Sequence, residues 1–191
     1  VDSTVAVIAL SGSSLSTRHA AGTTIATVLF SEGPSAIIGL LTEALGSQPT
    51  LTPASAESMC IDPIRRYSWS NSASVDAAGV TVSERETPNP LRPDWTVEVR
   101  SASVAGIRLE TSNGLTIGEN TDAFVAALPV AQKAEYKESV AEGGVDTHSY
   151  IFDMTDTRKI DGTDHAYGGV AISDSSLFVL FGAPTIVNGF C

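Results

Sequence analysis

Residues Thr4–Phe30, TVAVIALSGSSLSTRHAAGTTIATVLF, set the architecture. Thr4–Leu10 is a dense β-branched run and reads as a strand. Ser11-Gly12-Ser13-Ser14 is turn chemistry, and Leu15–His19 alternates as a second strand. Ala20-Ala21-Gly22 turns the chain again, and Thr24–Phe30 supplies a third strand. Short turns join antiparallel neighbours, because a parallel pair needs a long crossover. An antiparallel sheet is therefore expected.

A helix follows. Pro34 sits in its first turn, where a missing N–H costs nothing. Ile37, Ile38, Leu41, Ala44 and Leu45 share one face, and Gly46 stands just past the end. Ser47–Pro63 lacks periodicity, holds three prolines and reads as a loop. Tyr67 with Trp69, and Val80 with Val82, suggest short strands, and Glu84–Pro93 reads as an irregular connection. Trp95–Arg100 (WTVEVR) alternates as a half-buried strand. Gly106–Glu110 and Leu115–Ile117 are expected as a hairpin around Ser112-Asn113-Gly114. Asn120 or Thr121 can cap a helix ending at Pro129, and Ala131–Ala141 is helix-compatible. Tyr150–Met154, Gly169–Ile172 and Leu177–Phe181 close the chain as strands.

The expected fold is α+β, an antiparallel sheet with two or three helices on one face. Residues 1–191 fit one such domain, against a usual size of roughly 100–150 residues. The chain allows an internal repeat relating 4–46 to 95–129, with chance resemblance of two turn-glycine hairpins as the competing account. Leu15–Ile25 aligns without gaps to Ile107–Ile117, with Gly22 on Gly114, Thr24 on Thr116 and Ile25 on Ile117.

Composition narrows the function. The formal charge is −11, which disfavours nucleic acid as a partner. No run of about 18 apolar residues spans a membrane. With 23 Ser, 19 Thr and only three Lys, hydroxyls and carboxylates must wet the surface, as suits an exported, extracellular or cell-surface protein. Cys60 and Cys191 are expected to form one disulfide in that setting, closing a loop of about 130 residues. The polar start Val1-Asp2-Ser3-Thr4 fits a linker behind an export signal.

No nucleophile elbow, Ser-x-x-Lys or phosphate-binding glycine loop is present, so the chain reads as non-enzymatic sooner than as a hydrolase. Asp153, Asp156, Asp161, Asp164 and His165 crowd around Gly162. Of these, Asp156, Asp161, Asp164 and His165 are the candidate metal ligands, and calcium is the cation that clustered oxygens suit. Arg158 and Lys159 inside the cluster argue instead for a solvated acidic loop. No other cofactor is expected. Arg65, Arg66, Tyr67, Trp69 and Trp95 are the candidate ligand-binding residues, as a groove of aromatics beside a basic pair; a buried tryptophan in the core is the competing account. Glu98 and Glu110 stand on neighbouring expected strands with Arg100 and Arg108, an arrangement that suits cross-strand ion pairs better than paired catalytic carboxylates.

Trp95–Val104 (WTVEVRSASV), Ala105-Gly106-Ile107, the Ser112-Asn113-Gly114 turn and Leu115-Thr116-Ile117-Gly118 resemble a recurring pattern in exported actinobacterial cell-envelope proteins of unknown function, many of them predicted lipoproteins. The resemblance implies an envelope location and a lipid anchor upstream of residue 1. It brings no catalytic residues. The sequence thus points to a domain that binds a protein or a cell-wall component. A small-ligand or cation-binding module built on 153–165 is one alternative, and a hydrolase with an unmarked site is the other.

Overall fold

The computed structural model describes residues 4–55, 63–70, 78–87, 93–127, 135–139, 146–160, 163–174 and 176–186. They form an α+β fold with two sheets. The first three strands are β1 (Val7–Leu10), β2 (Ser14–Arg18) and β3 (Thr24–Leu29), an antiparallel meander as expected. A single 3-10 turn, Phe30–Glu32, leads into helix α1 (Pro34–Leu45). Pro34 opens the helix, and Gly46 closes it in the left-handed conformation at φ 65°. Ile37, Leu41 and Leu45 are the residues it buries.

Strands β4 (Thr50–Ser55), β5 (Ile64–Ser70), β6 (Ala78–Arg85) and β7 (Trp95–Val99) follow, then β8 (Ser103–Val104) and β9 (Ile107–Thr111). Helix α2 (Thr121–Ala127) begins beside Asn120, whose side-chain oxygen accepts the Asp122 amide at 2.9 Å. The chain closes with β10 (Glu135–Ser139), β11 (Asp146–Ile160), β12 (Thr163–Asp174) and β13 (Leu177–Ile186).

One expected sheet is in fact two. The smaller has the order β3-β2-β1-β9-β8, and its β1 and β9 run parallel. The larger has the order β10-β11-β12-β13-β7-β6-β5-β4 and is antiparallel throughout. At one end of β6, a Cβ on Gly79 would strike the Val104 methyl of β8. At the other end, Phe30 beyond β3 meets Trp95, the cross-strand neighbour of Glu84, edge to face at 5.1 Å between centroids. The two edges of the small sheet therefore lie near opposite ends of β6.

The core fills the space between. Ile8, Leu10, Leu15 and Leu109 come from the small sheet, and Ile37, Leu41 and Leu45 from α1. Trp69, Val80, Val82, Val97, Val99, Phe152, Phe178 and Phe181 come from the large sheet, all in one buried cluster. Phe124 of α2 stands edge-on to Phe178 at 5.4 Å.

Three expectations on local structure are corrected. Thr50–Ser55 is a strand, despite Pro53; it is the last strand of its sheet, where a missing N–H is tolerated. The helix expected over Ala131–Ala141 is the strand β10 where described, because pairing with β11 outweighs weak helix propensity. Leu115–Ile117 is not a strand: Thr111 donates its amide to the Leu115 carbonyl at 2.9 Å, and the chain then turns away. The sequence likeness at offset 92 rests on two turn glycines, Gly22 at φ 87° and Gly114 at φ 84°. Their settings differ, since Gly22 joins β2 to β3 whereas no strand follows Gly114 immediately. β1 lies in the small sheet and β7 in the large one.

Candidate functional site

Three of the five expected ligand-binding residues meet at one end of the large sheet. Strand alternation puts Arg65, Tyr67 and Trp69 on the face that meets the core. Their neighbours across β6 are Glu84, Val82 and Val80. Across β7 the same rows continue to Trp95, Val97 and Val99. The two inner rows are buried except for half-buried Tyr67. The outermost row, Arg65–Glu84–Trp95, is where the core face reaches water.

An open depression of about 420 Å³ lies here, lined by Arg65, Glu84, Arg85 and Glu86. Arg65 donates to Glu86 Oε1 at 3.1 Å. The Tyr67 hydroxyl, followed by the Glu86 carboxylate, holds the Arg65 guanidinium above its ordinary value, so it stays charged throughout the accessible pH range. Arg85 Nε donates to the Pro93 carbonyl at 3.0 Å, and the Arg85 amide donates to the Asp94 carbonyl at 2.7 Å. These bonds tie the β6 end to the start of β7. The depression thus offers two cations and two carboxylates on a rigid sheet end, beside half-buried Tyr67 and Trp95.

The other two residues do not join them. Trp69 is buried in the core and gives its indole N–H to the Ser47 carbonyl at 3.0 Å. Arg66 stands opposite Ser83, one position out of phase with Arg65, and so lies on the other face. Glu84, Arg85, Glu86 and Phe30 were missed by the sequence reading. The alternation Val80-Val82-Glu84 carries the missing signal, since it places Glu84 one step past the buried row on the same face.

The described residues of the acidic segment lie on strands. Asp156 lies on β11, and Asp164 and His165 lie on β12. The ladder sets Lys159 opposite Asp164 and Arg158 opposite His165. Asp161 lies outside the described residues, as do Cys60 and Cys191. Among the described residues, no group of three or more potential metal ligands lies together. Glu98 and Glu110 fall in different sheets, so they form no facing pair. Each instead pairs with an arginine two residues away, Glu98 with Arg100 just past β7 at 3.0 Å and Glu110 with Arg108 on β9 at 2.9 Å.

Among the described residues, no helix is long and apolar enough to cross a membrane. No protein family, no curated protein and no solved structure matches the chain.

Proposed function

We propose that this chain is a non-catalytic binding domain of the cell envelope, holding a polar partner at the Arg65–Glu84–Trp95 end of its large sheet. One observation carries the reading. The registers of three consecutive strands, β5, β6 and β7, bring paired charges and two aromatic rings to one water-facing sheet end. The depression is open, and among the described residues its lining is two Arg and two Glu. That set can bind both charge signs of a peptide or of a wall glycopeptide, but offers no nucleophile. The hydroxyl-rich, lysine-poor composition supports an exported setting.

The test uses the full chain and its Arg65→Gln/Glu84→Gln double variant. Each is sedimented with purified actinobacterial cell wall and, separately, passed over immobilised envelope proteins. Retention of the parent on either one, weakened about tenfold or more in the double variant, supports the reading; that factor corresponds to about 1.4 kcal/mol. Equal retention of both proteins, or none of either, refutes it. A rise in melting temperature with calcium at about 1 mM would favour a cation module on the 153–165 hairpin instead.

A further inference from the structure

Among the described residues, no strand follows β3 in the small sheet. Its six residues, TIATVL, carry no charge and no proline, in a chain of net charge −11. Natural sheet edges are commonly blunted by charge or proline, because their unpaired amides and carbonyls template another strand. Two large aliphatics are left exposed on this strand, Ile25 at 44% and Leu29 at 51%.

The hydrogen-bond phase shows which groups face outward. Phe30 donates its amide to the Ser13 carbonyl at 2.8 Å, so that amide points inward to β2. Alternation along an antiparallel ladder then turns the Val28 and Ala26 amides inward, and the Leu29 and Thr27 amides outward. The outward direction at Leu29 is confirmed by its partner, since Leu29 N donates to Glu32 Oε1 at 2.8 Å. Thr27 therefore presents both its N–H and its C=O on the open edge.

We infer that two copies of this chain associate through β3, antiparallel about a two-fold axis at Thr27, joining two five-stranded sheets into one. In that register Thr27 faces Thr27 of the other copy, and the two exchange both backbone bonds. Ile25 faces Leu29 of the other copy, and Leu29 faces its Ile25. Both exposed aliphatics of each copy thus gain an apolar cross-strand partner, and the threonines form a matched pair. The absence of charge on the strip lets two acidic chains approach there, where a charged edge would repel its own copy. The same surface patch serves both subunits, as a closed two-fold interface requires. Two features restrain the pairing. A bulge at Ile25 sets two residues of β3 against Arg18, and the Glu32 carboxylate occupies the Leu29 amide. Glu32 must swing away for the edge to close.

The full chain is examined by sedimentation equilibrium from micromolar to millimolar concentration. A concentration-dependent dimer is expected, tightened about threefold or more by Glu32→Gln, which weakens the carboxylate on the Leu29 amide. Thr27→Pro removes an amide that β2 does not use, so its circular dichroism should match the parent while its dimer is lost. Ile25→Lys/Leu29→Lys should behave likewise. Thr27→Cys should form a covalent dimer under mild oxidant beyond any formed by the parent, because hydrogen-bonded antiparallel partners bring Cα atoms to about 5.5 Å. A monomer throughout for both the parent and Glu32→Gln overturns the inference. So does a dimer that survives the proline and lysine variants. Neither result bears on the Arg65–Glu84 rim, whose test reads retention on wall or envelope protein.

Discussion

Gly12 and Asp153, far apart in sequence, clasp the two sheets together. The Gly12 amide donates to Asp153 Oδ2 at 3.0 Å, and a Cβ on Gly12 would strike the Asp153 carbonyl oxygen. Gly12 lies in the turn between β1 and β2, and Asp153 in the irregular step of β11 between Phe152 and Asp156. Asp153 adopts φ 53°, the left-handed region that Asp and Asn tolerate better than other side chains. Backbone blocks the Cβ position, so Gly12→Ala is expected to destabilise by about 1–3 kcal/mol in urea unfolding. Asp153→Ala removes the acceptor and keeps the strain, at about 1.5–3 kcal/mol. Asp153→Asn retains an acceptor and the left-handed tolerance, so it should lie closer to the parent. An Asn variant as unstable as the Ala variant would show that the charge, not the contact, holds the clasp.

Local signals in the chain account for its first third. Strong β-branched runs with glycine turns read directly as β1 to β3, and apolar spacing between Pro34 and Gly46 reads as α1. The division into two sheets is not written locally. β1 takes β9 as a parallel neighbour about a hundred residues away, while β7, two strands earlier than β9, turns to β13. Edge strands are also hard to read, because half their neighbours are absent and alternation fades, as in TLTPAS of β4 and EYKES of β10. For the rim, the residue types were legible in Arg65, Tyr67 and Trp95. Their convergence was not, since it depends on the registers of β5 on β6 and β6 on β7. Trp69 could be read as groove or core, and it is buried beneath the loop at Ser47.

Gly169 makes room for a ring. A Cβ there would enter the Phe152 side chain, which is fully buried and stands edge-on to Phe181 at 6.3 Å. The ring cannot move without disturbing Phe181 and, beyond it, Phe178 at 5.9 Å. Gly169→Ala should therefore cost about 1–3 kcal/mol as overpacking. Phe152→Leu alone should also destabilise, by leaving a void. Together they should cost less than their sum, with a coupling of about 0.5–3 kcal/mol in a double-mutant cycle. Simple additivity would place the clash elsewhere.

Glu110 is the buried member of a charge cluster on the small sheet. Its side chain is 8% exposed and faces Arg108 at 2.9 Å and Arg18 at 3.5 Å, themselves 59% and 25% exposed. The acid and the bases should therefore respond unequally. Arg108→Ala removes an ion pair largely in water and should cost under about 1 kcal/mol. Glu110→Ala removes the acceptor shared by both arginines at the sheet surface, and should cost about 1–3 kcal/mol. Chemical unfolding of the two variants checks the order. A larger loss from Arg108→Ala would mean that packing by its aliphatic stem, opposite buried Val7 in the ladder, matters more than its charge.

Ser173 runs the other way. Its hydroxyl is buried on β12 without a hydrogen-bond partner among the described residues, and the residue is 1% exposed. Strand pairing sets it opposite Phe178, whose ring occupies the core. A hydroxyl brought from water into such a place gives up its hydration and receives nothing in exchange, a loss of about 1–3 kcal/mol. Ser173→Ala deletes the unsatisfied atom and leaves little void, so the variant should equal or exceed the parent in stability. Thermal unfolding of the two proteins decides it. A raised melting temperature marks the hydroxyl as a liability carried by the fold. A fall of several degrees would mean that the oxygen is bonded in solution, and a partner within reach of β12 would then be sought by repeating the substitution in variants of its neighbours.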